Sequence, residues 1–250
     1  KISYPITYLI LFFIPSIIIF KKFDFISNFK KIELTLPQKP SFFAILIFSY
    51  LVVYYFSAVL LPEVSHDAVS HHLTIATKMG VNHFWPYDVN QFIWSVTPQG
   101  TQWIFTFLYF FGGITSVKLF LLLIIFSMSL FIYNFSLKKF GDSNFSVLAA
   151  LMILSLPINL YLMRGQFIDL FHALIISCLF IIFLENKKNK WILIAAITGF
   201  GFAIKSSTII IIPGLIFLYF FEIFNEKKIN IKQFLFSCLT LLLFGVGPYI

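Results

Sequence analysis

The sequence predicts an all-α, polytopic transmembrane helical bundle, and three observations predict it. The chain of 250 residues is 60% hydrophobic and 11% charged, against roughly a quarter charged in soluble domains. Its apolar residues come in continuous runs that, wound as helices, match the ~30 Å hydrocarbon core of a bilayer. The runs do not alternate apolar with polar, as the strands of a membrane barrel would. The formal charge of +8 comes largely from lysines in short loops between the runs, where orientation by the positive-inside rule accounts for it. No nucleic-acid partner is expected. Cys178 and Cys238 lie within apolar runs, so no disulfide framework is implied.

Residues 4–20 read as one span. Residues 21–40 carry five lysines against Asp24 and Glu33, which places that loop in the cytoplasm. Residues 41–61 lead outward. Pro62 ends this span, because proline has no N–H to donate and clashes with the preceding turn. Residues 62–114 then form an extracytoplasmic loop with interfacial helices. Four of the five histidines (His66, His71, His72, His83) and the acids Glu63, Asp67 and Asp88 fall in its polar part. Ser65 or Asp67 is expected to cap a helix running to about Met79, with Gly80 as its stop. On that helix Asp67 and His71, four apart, share a face. Trp85, Tyr87, Trp94 and Trp103 follow as an interfacial aromatic belt. Residues 101–111 are apolar but too short to cross, so they lie in the interface or dip and return.

Residues 117–137 run inward to the cytoplasmic Lys138-Lys139 pair. Residues 144–161 return outward, 163–167 make a short outer connection, and 168–184 go in again to the loop Glu185–Lys190. The stretch 191–224 is too long for one span, and Lys205-Ser206-Ser207 interrupts it. Two shortened helices meeting near Lys205 on the outer side account for both facts. The loop 222–232 is then cytoplasmic, and 233–250 begin the next outward span. Lys1 in place of Met, and an apolar run unfinished at Ile250, read as an excerpt of a longer chain forming a single transmembrane domain over 1–250.

This topology brings Asp67, Lys118, Arg164, Asp169 and Lys205 to one membrane face. An ionisable group at a helix centre costs roughly 2.5–3.5 kcal/mol on insertion scales unless paired or wet. Arg164 is the sole arginine and stands five residues before Asp169. Its guanidinium fork suits phosphate better than an ammonium does. Plainer readings stand beside these: Asp67 as a helix cap, Lys118 and Lys205 snorkelling to the headgroups, Arg164 with Asp169 as a structural ion pair. His172 reads as packed and hydrogen-bonded within the bundle. Imidazole is a common metal ligand, but neither an H-E-x-x-H nor a cysteine pair accompanies the histidines, so no metal is indicated. The sequence has no G-x-S-x-G, no Walker loop and no G-x-G-x-x-G. Gly199 and Gly201 suit close helix packing.

In order and spacing, these residues resemble the GT-C superfamily of membrane glycosyltransferases, in the branch of protein O-mannosyltransferases and lipid A aminoarabinose transferases. Asp67-Ala68-Val69-Ser70-His71-His72-Leu73 is similar to that branch's D-A-x-x-Y-H-L, with His71 where tyrosine is usual. Pro98-Gln99-Gly100 through Gly112-Gly113 looks like its P-P-L/G segment, although Val96-Thr97 stand where many relatives carry a charge. Lys118 matches a basic residue opening the next helix. Arg164 to Asp169 matches an arginine followed by a second acid, and Gly199 to Lys205 matches G-x-x-x-x-x-K. The likeness covers residues 41–224. It implies transfer of a sugar from a polyprenyl-phosphate donor to a lipid, glycan or protein acceptor; no cofactor is predicted, and a divalent metal is compatible with the pattern but not indicated by it. The setting implied is a multi-pass protein of the bacterial plasma membrane with its active site on the outer face. The resemblance further implies Asp67 and Asp169 as catalytic, and His71, His72, Lys118, Arg164 and Lys205 as substrate-binding. A transporter or flippase of a lipid-linked saccharide is the alternative, since it too would gather cations around a phosphate; paired broken helices at mid-membrane would mark it.

Overall fold

The computed structural model of the chain describes residues 41–62, 65–66, 68–82, 100–184, 190–226 and 231–245. The expected span 4–20, the loop 21–40, Asp67, His83, Trp85, Tyr87, Trp94 and the loop around Lys188 lie outside the described residues. Among those described, every regular element is helical. In chain order they are α1 (Phe42–Leu60), a π-helical turn (Ala68–His72), α2 (Leu73–Asn82), α3 (Gly100–Phe140), α4 (Ser143–Ser155) and α5 (Pro157–Arg164). Then come α6 (Asp169–Leu184), α7 (Lys190–Ile204), a 3-10 turn (Ser206–Ile210), α8 (Ile211–Glu226) and α9 (Ile231–Gly245). By length and composition α1 and α3 can each cross a bilayer, and α4 with α5 make a third candidate as one bent span.

The described residues fall into two compact units, one of residues up to 82 with 104–167, the other of 100–103 with 168–245. In the first, Ser41 caps α1 by accepting from the Ala44 N–H at 3.2 Å. Tyr55 is buried and donates its hydroxyl to the Leu154 carbonyl at 2.8 Å, fastening α1 to α4. The single span expected over 144–161 is instead two helices bent by 44°. Pro157, first residue of α5, has no N–H for the Ile153 carbonyl. The Asn159 side chain supplies the missing donor, its Nδ2 reaching that carbonyl at 2.6 Å.

Two expectations for the polar loop change as well. Ser65 does take a cap position, its Oγ accepting from the Ala68 N–H at 3.2 Å, but the first turn is π-helical rather than α. The helix also runs past Gly80 to Asn82. Glycine costs a helix interior about 1 kcal/mol, and the burial of Leu73, Ile75, Ala76 and Met79 on one face outweighs that. α3 is broken at Gly112 and Gly113, and Gly113 (φ 61, ψ −147) holds a backbone conformation open to glycine almost alone. A short apolar arm therefore precedes a long helix whose buried Val117, Leu121, Ile124 and Ile125 repeat at helical spacing.

In the second unit α7 packs against α6 and α9, and its glycines set the distance. A Cβ on Gly199 would lie 2.6 Å from the Leu241 carbonyl oxygen of α9, and one on Gly201 would lie 3.1 Å from Ile175 of α6. Small residues at such crossings let helix backbones touch, which is what drives packing where lipid and side chain are equally apolar. Lys190 and Glu222 join the start of α7 to α8 at 2.9 Å.

Candidate active site

The second unit brings one acid and one base together. Asp169 opens α6, where a carboxylate favours the positive end of the helix dipole. At Lys205 the chain leaves α7 with extended geometry (φ −148, ψ 123). The sequence explains that break: Lys205-Ser206-Ser207-Thr208 follow an apolar run, and short hydroxyl side chains compete with the helix for backbone groups. Lys205 Nζ donates to Asp169 Oδ1 in a short contact. Both side chains keep over a third of their surface, 35% for the lysine and 39% for the aspartate.

A second link runs beside the first. His172 Nε2 and Thr208 Oγ1 are hydrogen-bonded at 2.8 Å. Asp169 and His172 are three apart on α6, and Lys205 and Thr208 are joined across the start of the 3-10 turn by the Thr208 N–H, which bonds the Lys205 carbonyl at 3.1 Å. The two bonds thus form a two-rung ladder that fixes the lysine stem. An ammonium carries three donors, and Asp169 takes one of them. The arrangement is a fixed cation at the edge of an apolar helix pair, able to bind an anionic oxygen. Gly100, at the start of α3, packs on the same helix end: a Cβ there would stand 2.7 Å from the Ala203 carbonyl oxygen.

The first unit holds the remaining described candidates. Lys118 does not snorkel; its side chain is wholly buried and donates from Nζ to the Leu61 carbonyl at 2.8 Å. That carbonyl ends α1 and immediately precedes Pro62, so the lysine anchors the start of the polar loop. His71 and His72 stack at 4.4 Å between ring centroids, and His72 meets Phe167 edge-on at 6.0 Å. Phe167 stacks in turn on Tyr161 at 5.4 Å. Arg164 is the last residue of α5, exposed, and without an ion pair among the described residues. The carboxylate that sequence offered it, Asp169, is engaged by Lys205.

The turn after Arg164 is a Schellman cap. The Phe167 N–H bonds the Leu162 carbonyl at 2.9 Å and the Gln166 N–H bonds the Met163 carbonyl at 3.2 Å. The residue between the cap and Phe167 must then be left-handed, and Gln166 is, with φ 52. Gly165, one position earlier, serves a different need, since a Cβ there would lie 2.2 Å from the Phe167 ring. Sequence reasoning passed over Gln166 and Thr208. The histidine three residues after Asp169 was a signal for the second rung, and nothing local pointed to Thr208. Among the described residues no three His, Cys, Asp or Glu side chains gather as metal ligands would.

The model of the dolichyl-phosphate-mannose-protein mannosyltransferase family matches residues 97–250. No curated protein and no solved structure matches the chain.

Proposed function

Since the chain belongs to the dolichyl-phosphate-mannose-protein mannosyltransferase family, a family of GT-C type membrane glycosyltransferases, we propose that it moves a sugar from a polyprenyl-phosphate donor to an acceptor at the outer face of the plasma membrane. The observation that carries this reading is the half-exposed Asp169–Lys205 pair at the break in α7, inside the matched region. The acceptor hydroxyl gives up its proton as its oxygen bonds the anomeric carbon. The bond from that carbon to the phosphate oxygen breaks, and the leaving polyprenyl phosphate keeps the electron pair. A base and a fixed cation are what this step needs. Asp67 is proposed as the base. Lys205 is proposed to offset the charge on the phosphate, and His71, His72, Lys118 and Arg164 to contact substrate. A lipid-borne donor requires no nucleotide-binding fold.

Interrupted helices are also what a transporter would show, but each break has a local cause: Gly112-Gly113 in α3, Pro157 between α4 and α5, and the hydroxyl run after Lys205. Full-length protein in liposomes with radiolabelled polyprenyl-phosphate-mannose tests the proposal. We expect label to pass to acceptor in wild type and to fall by at least about 10²-fold for Asp67→Asn. Lys205→Met is expected to lose about 10²–10³-fold. Undiminished transfer by both variants would remove these residues from the mechanism.

A further inference from the structure

The geometry points to Gln166 as a residue that reads adjacent hydroxyls of a sugar through its side-chain amide. Two penalties fall on it at once. It occupies the left-handed position of the Schellman cap, φ 52, where glycine is the usual and least strained residue. Its side chain is also wholly buried, yet neither Nε2 nor Oε1 has a hydrogen-bond partner. Buried amides are almost always satisfied, and an unsatisfied one calls for an explanation such as a role in binding or catalysis. A glutamine at a position that suits glycine better, with a donor and an acceptor both unspent, points to a use for its amide.

The chemistry of that amide selects the ligand class. It offers an NH₂ donor and a carbonyl acceptor in one plane. A phosphate or carboxylate would use the donor and be repelled by the carbonyl oxygen. Adjacent ring hydroxyls, each both donor and acceptor, satisfy the two sides together. The ring row that includes Phe167, the next residue in the chain, agrees with a sugar. Tyr161, Phe167, His72 and His71 form a continuous row of ring contacts, and Tyr161 remains 60% exposed. Arg164 is exposed one turn along from Tyr161 on the same helix. Apolar ring faces with a few placed polar groups are the usual make-up of a small-molecule site. That the sugar is one being transferred or received rests on the transferase reading; that a sugar binds does not.

The test compares purified full-length wild type with Gln166→Leu, which keeps the Cβ penalty and removes the amide, and with Gln166→Gly, which removes both. Without ligand, both variants are expected to melt about 2–4 °C higher, because an unsatisfied buried amide has been removed. In excess methyl α-mannopyranoside wild type is expected to gain thermal stability and both variants to gain none. In transfer from polyprenyl-phosphate-mannose, KM is expected to rise roughly tenfold for Gln166→Leu, with kcat within about threefold. If the rise is in KM for a saccharide acceptor and not the donor, the hydroxyls read belong to the acceptor. A lower melting point for both variants would show that the amide is structurally satisfied and overturn the inference. So would a glycoside shift that survives in the variants, or one produced in wild type by a serine peptide and not by the glycoside. Absent transfer by wild type with the glycoside shift intact would sink the proposed function and leave this inference standing.

Discussion

Lys118 carries an ammonium into a helix whose neighbours Val117, Leu119, Phe120 and Leu121 are all apolar, and it has no solvent contact. At least one of its hydrogens is directed at the Leu61 carbonyl. Replacing it with methionine keeps the stem's packing and removes a charge-assisted hydrogen bond, a loss of about 1.5–3 kcal/mol. We expect a correspondingly lower melting point for Lys118→Met, measured on the purified chain. The Asp169–Lys205 pair behaves differently, because both groups are over a third exposed and water screens them. Their coupling in a thermal double-mutant cycle is expected to stay below about 1 kcal/mol. Loss of transfer by Lys205→Met at unchanged stability therefore marks a chemical role; an equal fall in both would mark a structural one. The sequence put these charges in view but not their partners. Asp169 stands five residues from Arg164 and thirty-six from Lys205, and proximity along the chain favoured the wrong cation, since pairing across helices leaves no local pattern.

At the scale of elements, the breaks were legible where side-chain chemistry changes abruptly and illegible where it does not. Lys205-Ser206-Ser207 interrupts an apolar run and the helix does end there. Pro157 sits among apolar neighbours in a run of span length, and the carbonyl its 44° bend leaves short of a donor is met by Asn159, which nothing in the sequence pattern announces. Gly80 reads as a stop, yet the packed face of α2 carries the helix through it. Glycines at helix crossings give a sharper prediction. A methyl on Gly199 would press on the backbone oxygen of Leu241 at 2.6 Å, and backbone cannot yield as a side chain can. Gly199→Ala is expected to cost about 1–3 kcal/mol through overpacking. Gly214, inside α8 with nothing within 4 Å of its would-be Cβ, is the control. Gly214→Ala there is expected to be neutral or to stabilise by up to about 1 kcal/mol through helix propensity. Equal melting points for the two variants would contradict the crossing described for α7 and α9.

For the molecule as a whole, the surface and the charges together make the membrane argument. Phe42, Phe43, Phe217 and Ile210 are each more than two-thirds exposed, which in water would be an aggregation liability and in a bilayer is contact with lipid. The family match adds that this integral membrane protein is a glycosyltransferase; which way it faces depends on the lysines. Residues 185–190 hold three lysines against Glu185, and short lysine-rich loops stay in the cytoplasm. In the topology read from the sequence α7 runs from that loop to Lys205, so the Asp169–Lys205 pair is expected at the opposite, outer side. With Cys178 and Cys238 replaced by serine, Lys188→Cys should resist an impermeant thiol reagent in intact cells and react once the membrane is permeabilised. Ser206→Cys, exposed next to Lys205, should react in intact cells. The reverse pattern would turn the pair toward the cytoplasm. The donor phosphate would then have to be met on that side, and the reading of an outward-facing active site would fail even with transfer intact.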